Sequence, residues 1–210
     1  MMKVLHYEIG PMPTNAYVAY DEETMAGFMI DPAVHVSEIT DKIKELGIDL
    51  QYIILTHGHF DHIEGVEAFK KDFPQVKVIC HGEEREMLKS GALNSSLDFR
   101  GWPYTTDADQ TVRHRETLKV GNTEVTFFHT PGHTKGGMSI YVPGNPGYCF
   151  SGDTLFRRSI GRTDFYGGDY RTLINSIKDV LFYLPDDTVV LPGHMGPTTI
   201  AEEKRCNPFV

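Results

Sequence analysis

Cysteine is scarce in this chain: Cys80, Cys149 and Cys206 are the only three in 210 residues, and no two form a C-x-x-C pair. That count argues against a disulfide framework and against a zinc-thiolate site, and it predicts a reducing, cytoplasmic compartment. Apolar runs of membrane-spanning length are also missing, and Met1 to Gly10 holds no signal-peptide-like stretch, so neither membrane insertion nor secretion is expected. Positive charge is short as well. Lys and Arg number 20 against 29 Asp and Glu, a net charge of -9, so the long-range attraction that draws proteins to nucleic acid or anionic membranes is absent. With no internal repeat, low-complexity tract or Gly/Ser linker, residues 1–210 read as a single domain.

What the chain does have is ten histidines and a mixture of short apolar runs with helical periodicity. Strands are predicted at about 3–9, 15–20 and 26–31, then a helix at about 36–46, where Val36, Ile39, Ile43 and Leu46 recur at spacings of three and four before Gly47. Tyr52-Ile53-Ile54-Leu55 is a continuous run of the kind a strand buried on both faces shows. A helix at about 63–72, a strand at 76–80, a short helix at about 83–89 and an irregular stretch from Gly91 to Gln110 follow. Further strands are predicted at 112–119, 123–128, 138–142, 148–151 and 188–191, with a turn at Pro143 to Gly147 and a helix at about 170–182 beside the N-cap candidate Asp169. Mixed elements with adjacent strand pairs point to sheets covered by helices.

The histidines are not scattered. Thr56-His57-Gly58-His59-Phe60-Asp61-His62 packs three imidazoles and one carboxylate directly behind the buried strand, as H-x-H-x-D-H. Imidazole and carboxylate suit Zn²⁺, Fe and Mn, and a turn at the end of a strand can aim alternate residues into one cavity as two neighbouring ligand sets; Gly58 would allow the tight turning. Four ligands do not complete two sites, and the missing ones stand at the ends of later strands. His133 lies in Thr130-Pro131-Gly132-His133, Asp153 in Ser151-Gly152-Asp153-Thr154, and His194 in Leu191-Pro192-Gly193-His194. Isolated histidines, His6, His35, His81 and His114, read as surface or hydrogen-bonded residues, and His129 as a supporting one.

This ligand pattern resembles the metallo-β-lactamase-fold superfamily. The stretches Ser151 to Phe156, Gly161-Arg162, Pro192 to Ile200 and Arg205 to Phe209 are similar to its short, single-domain glyoxalase II-like hydrolases. The resemblance covers nearly the whole chain and implies an α/β fold, a four-layer αβ/βα sandwich of two mixed sheets with flanking helices. It implies two divalent metal ions, zinc first with iron or manganese as alternatives. His57, His59 and His133 would hold one ion, Asp61, His62 and His194 the other, with Asp153 between them and a metal-bridging hydroxide as nucleophile. Asp61 and Asp153 are the catalytic carboxylates of this reading, and Arg162, with Arg158, the substrate-binding candidates. Cys149 is expected to be a core residue.

The activity implied is hydrolysis of a small-molecule thioester such as S-D-lactoylglutathione. The helical domain that glyoxalase II carries after its catalytic part has no counterpart in the residues following His194. An alternative is a mononuclear-iron persulfide dioxygenase using His57, His133 and Asp153; others are hydrolysis of a different ester, or metal binding without catalysis. A β-lactamase of the best-known zinc class would carry Cys in place of Asp153. The 91–110 segment, with Leu97, Phe99, Trp102 and Tyr104, is apolar for an exposed connection and reads as a lid, a pocket wall, a core cover or a subunit contact.

Overall fold

The computed structural model describes residues 1–210. Strands β1 (Met2–Ile9), β2 (Thr14–Asp21), β3 (Ala26–Ile30), β4 (Asp49–Ile54), β5 (Lys77–His81) and β6 (Gln110–Val112) lie in chain order in one sheet. The first three are antiparallel, and β3 to β6 are parallel. The chain then enters a second sheet through β7 (Thr117–Val120), β8 (Thr123–His129), β9 (Met138–Val142) and β10 (Tyr148–Gly152). A small hairpin, β11 (Leu155–Phe156) with β12 (Ser159–Ile160), precedes β13 (Val189–Pro192) and β14 (Thr198–Thr199), which complete that sheet in the order β14-β13-β10-β9-β8-β7. Seven helices, α1 (Ser37–Leu46), α2 (Phe60–Ile63), α3 (Val66–Asp72), α4 (Arg85–Leu88), α5 (Ser96–Arg100), α6 (Tyr170–Asp179) and α7 (Ile200–Cys206), fill the connections.

Alternation along the strands explains why these elements stack in four layers, because successive side chains of a strand point to opposite faces. Ile53 of β4 packs among Ile39, Ile43 and Phe69 of the helices, while its neighbour Ile54 packs among Phe28, Phe127, Ile140 and Phe150 between the sheets. In β10 the same holds: Phe150 faces the inter-sheet core and Cys149 faces Leu173 and Ile177 of α6. Each of these large side chains stabilises the fold by about 1.5–3 kcal/mol through burial. Phe150 meets Phe28 and Tyr17 edge-on at 6.0 and 5.3 Å, joining the two sheets. The Cys149 thiol is fully buried, which pushes its pKa up to about 12, so it is an inert core group.

Several elements differ from the sequence expectation. The strand expected at 112–119 is two strands in different sheets: Arg115 adopts φ 64 between them, and its N–H is satisfied by the Phe127 carbonyl, so the polar run 113–116 turns instead of extending. The helix expected at 63–72 is interrupted at Glu64-Gly65, where an added Cβ on Gly65 would sit 2.6 Å from the Pro32 carbonyl oxygen. The 91–110 stretch is not wholly irregular, since it contains α5. Helix α6 stops at Asp179 and gives way to a 3-10 turn at Leu181–Tyr183; its N-terminus is capped by Asp169, whose carboxylate accepts from the Thr172 N–H at 2.7 Å. Helix α7 is an element beyond those expected; Thr199 and Glu202 stand in the S/T-x-x-E capping pattern, and Thr199 Oγ1 accepts the Glu202 N–H. No helix is long and apolar enough to cross a membrane.

Candidate metal centre

The parallel β4 ends at Ile54, and the chain runs through Leu55 and Thr56 into His57, Gly58 and His59 before α2 begins at Phe60. Helix α2 is one turn, and it carries Asp61 and His62. From the second sheet come His133 in the loop after β8, Asp153 directly after β10 and His194 directly after β13. All seven ligand candidates therefore meet at one edge of the sandwich, four from the first half of the chain and three from the second.

Two groups of donors form. His57, His59 and His133 make the first, and Asp61, His62 and His194 the second, with the donor atoms of each group within 4.8 Å of one another. His59 Nδ1 lies 2.9 Å from His133 Nε2. In the second group His194 Nε2 and His62 Nε2 lie 3.3 and 3.6 Å from Asp61 Oδ2. Asp153 spans the two: Oδ2 is 3.6 Å from both His133 Nε2 and His194 Nε2, and Oδ1 is 3.5 Å from His62 Nε2. Donors bound tetrahedrally to one ion at 2.0–2.1 Å stand about 3.3 Å apart, so spacings of 3.3–3.6 Å suit ligands that share an ion. Five buried side-chain polar atoms in the protein lack a hydrogen-bond partner, and four of them, His57 Nε2, His59 Nε2, His62 Nε2 and Asp153 Oδ1, are here. Such orphans are costly unless a cation satisfies them, and this donor set fits two.

Four of the five imidazoles are turned by a bond at Nδ1. His62 Nδ1 is 2.8 Å from Asp31 Oδ2, His57 Nδ1 is 3.1 Å from Thr56 Oγ1, His133 Nδ1 donates to the Arg162 carbonyl at 2.7 Å, and His194 Nδ1 donates to the Pro13 carbonyl at 3.1 Å. These partners fix the tautomer and leave Nε2 free to ligate. Asp31 falls close enough to His57 and His62 to be counted as a third donor group. Its oxygens are already engaged by the Thr56 N–H at 2.8 Å, the Thr56 hydroxyl at 2.6 Å and His62, so it supports ligands and is not one.

Glu84 has the corresponding role on the other side. Fully buried, it accepts the Gly58 N–H on Oε1 at 2.8 Å, and the Thr134 hydroxyl and Gly136 N–H on Oε2 at 3.0 and 2.7 Å. One carboxyl thus ties the His57–His59 loop to the His133 loop. Burial dominates the three bonds and raises its pKa to about 7. Sequence reasoning missed both acids. Asp31 did carry a signal, an acid directly after the apolar strand Gly27 to Ile30, the same placement as Asp153; Glu84 carried none.

The two groups differ electrically. Burial holds His57 and His59 well below the usual imidazole range, and neighbouring imidazoles lower His57 further. Burial would lower His62 too, but Asp61, Asp153 and Asp31 outweigh it and raise its pKa to about 10. Asp61 is held well below the carboxylate range because His62 and His194 overcome the burial that would raise it.

Arg162 stands at the rim, paired with Asp164 through two 2.7 Å bonds and stacked 3.7 Å over the Phe165 ring. Arg158 reaches Glu202 of α7 at 2.8 Å, and its own N–H bonds Glu203. Gly58 takes no positive φ; a Cβ there would lie 3.1–3.3 Å from Met87, Leu88 and Glu84, so close packing favours the glycine. Gly193 leaves no room for a side chain at the centre, since a Cβ would come within 2.3 Å of Asp153 Oδ1 and 2.6 Å of His62 Cε1. His129 stacks on His81 at 3.8 Å and bonds the Lys135 carbonyl, supporting the His133 loop from outside.

With this geometry in hand, comparison with known proteins is specific. The metallo-beta-lactamase superfamily model matches residues 9–194, which spans both donor groups. The hydroxyacylglutathione hydrolase GloC of Haemophilus influenzae (strain ATCC 51907 / DSM 11121 / KW20 / Rd) is 36% identical over 200 residues, covering 93% of this chain and 92% of GloC. Among solved structures, BLEG-1 B3 metallo-beta-lactamase superposes with a TM-score of 0.92 at 38% identity and 99% coverage of both chains. The di-iron-bound form of TTHA1623 superposes with a TM-score of 0.82 at 30% identity, covering 98% of this chain and all of that one. A family match of this extent, lying over the fold and donor groups described, means that the chain belongs to the metallo-beta-lactamase superfamily.

Proposed function

We propose that this protein is a metal-dependent hydrolase that cleaves a thioester such as S-D-lactoylglutathione. The observation that carries the reading is Asp153 standing between two complete donor groups, with its own Oδ1 and the Nε2 atoms of His57, His59 and His62 buried without a hydrogen-bond partner. His57, His59 and His133 would hold one divalent ion, Asp61, His62 and His194 the other, and Asp153 both, with zinc the metal of choice for this imidazole-rich set. Ions bound there would supply Lewis acidity toward the carbonyl and a water that ionises near neutral pH.

The protein's own residues then have separate tasks. Asp31, Thr56 and the carbonyls of Arg162 and Pro13 orient the imidazoles, so little reorganisation is needed as charge develops. Asp61 keeps Oδ2 among the donors of the second group, where it also accepts from the Thr14 hydroxyl at 3.1 Å, and its other oxygen would take the proton of the attacking water and return it to the departing sulfur. Water adds its oxygen to the carbonyl carbon, the carbon–sulfur bond breaks, and a carboxylic acid and a thiol leave. No side-chain nucleophile is required, in keeping with the inert Cys149. The name of GloC supports the thioester, and that of BLEG-1 supports a second reading, β-lactam hydrolysis.

Elemental analysis of protein purified without added metal, alongside assays with S-D-lactoylglutathione, nitrocefin and glutathione persulfide, separates these. Two metals per chain with thiol release from S-D-lactoylglutathione is the expected result. One iron per chain with O₂ uptake on the persulfide would replace it with a dioxygenase; nitrocefin turnover without thiol release would favour the lactamase.

A further inference from the structure

A row of aromatic rings leads away from the first donor group. Phe165 meets His59 edge-on at 5.6 Å, Phe99 meets Phe165 at 6.2 Å, and Phe99 stacks on Phe60 at 5.4 Å. Phe60 is buried, yet Phe99 on α5 is 51% exposed, and Leu97 and Trp102 beside it are 44% and 60% exposed. Three large apolar side chains left in water on one short segment next to a reaction centre mark a surface that something apolar covers. The segment is held in place: Arg100 is paired with Glu64 and lies over Phe60 at 5.5 Å, and Asn94 Nδ2 and the Tyr104 N–H anchor its ends at 2.8 Å to the Tyr104 carbonyl and Ser96 Oγ. A surface so fixed needs no ordering when a ligand arrives.

Two of the three cations of this rim already hold an anion. Arg162 already holds Asp164, Arg100 holds Glu64, and the Lys135 ammonium lies over the Tyr166 ring at 6.0 Å. A substrate carboxylate would have to displace Asp164 from Arg162 and would gain only the difference between two similar exposed pairs. Burying apolar area on the exposed Phe99 ring displaces no ion pair, and Phe165, one face of which Arg162 covers at 3.7 Å, offers its remaining edge beside it.

We propose that Phe99 and Phe165 form an acyl-binding subsite and that the thioester this site takes carries an apolar acyl group, a phenyl ring or a hydrocarbon chain, in preference to a small hydroxyacyl group. The inference rests on the thioesterase reading above. There the sulfur departs beside Asp61, in the second donor group, which leaves the acyl group toward His59 and the row of rings.

The test is a set of glutathione thioesters that differ only in the acyl group: D-lactoyl, hexanoyl and phenylacetyl. The expected kcat/KM for the phenylacetyl and hexanoyl esters exceeds that for D-lactoyl by about tenfold or more, the value of burying one such group. Phe99→Ala brings that ratio down to within about twofold, and Phe165→Leu, a milder change, lowers it in the same direction. Repeating the series on N-acetylcysteamine preserves the ratio. A preference for D-lactoyl, a ratio unchanged in Phe99→Ala, or a preference that follows the thiol instead of the acyl group would overturn the proposal. Binding of the thioethers S-phenethylglutathione and S-methylglutathione, followed by fluorescence of Trp102, the only tryptophan, tests the subsite without turnover. Tighter binding of the phenethyl compound, lost in Phe99→Ala, sustains the subsite even if no thioester is hydrolysed, whereas equal affinities would overturn it.

Discussion

The two donor groups both draw on the short segment from His57 to His62 yet are unlike in charge and in what stands behind them. In the first, three imidazoles are kept neutral by burial, and behind them Glu84 braces backbone amides without touching a ring. In the second, a carboxylate sits among the donors, and Asp31 bonds the imidazole of His62 directly. Neutral nitrogens that crowd one another need their loops held together; a mixed set of opposite charges attracts itself and needs only its ring orientation fixed. Support by backbone bracing and support by ring orientation are thus two solutions to one problem, each matched to the charge of the ligands it serves.

That contrast can be broken in graded ways. Asp153→Ala removes the donor common to both groups and is expected to lower kcat/KM by about a thousandfold or more and to reduce metal content, read by steady-state kinetics and elemental analysis; near-wild-type turnover would rule out its shared role. Gly193→Ala forces a methyl against Asp153 and His62 and is expected to cost about a hundredfold in kcat, with the loss concentrated in the second group. Glu84→Gln and Asp31→Asn form the sharpest pair. Gln can accept on one side only and turns an N–H toward a donor on the other, so Glu84→Gln should weaken the first ion by about 10–100-fold in chelator competition and spare the second. Asp31→Asn should do the reverse, and if both variants weaken both ions equally the distinction between the groups is lost. Thr56→Val is the mildest: the hydroxyl serves Asp31 and His57 at once, so its removal should trim both affinities a few-fold and lower stability by about 1–2 kcal/mol in thermal denaturation.

The ligands themselves were legible in the sequence because their chemistry is local: H-x-H-x-D-H is a pattern within six residues, and His133, Asp153 and His194 each follow an apolar strand and a glycine. The long strands were legible for the same reason, since Ile53 and Ile54 announce burial on both faces. What stayed hidden is what depends on distant partners. Glu84 is recognisable only once Gly58, Thr134 and Gly136 are brought around it, and β11, β12 and β14 are two-residue strands too short to show a period. The division of 112–119 between two sheets follows from the left-handed turn at Arg115, a residue with no turn propensity of its own.

That crossing at Arg115 divides the molecule into two halves, and neither half owns a full set of ligands. The first supplies His57, His59, Asp61 and His62; the second supplies His133, Asp153 and His194. Ions held across this seam would act as rivets between the two sheets, shortening the list of ways the sheets can slide or separate. The hold runs in both directions: loosening the sheet-to-sheet packing at Phe28 and Phe150 would be felt as weaker metal binding, although neither ring lies among the donors. Metal affinity in this protein is therefore also a gauge of how well its two halves are pressed together.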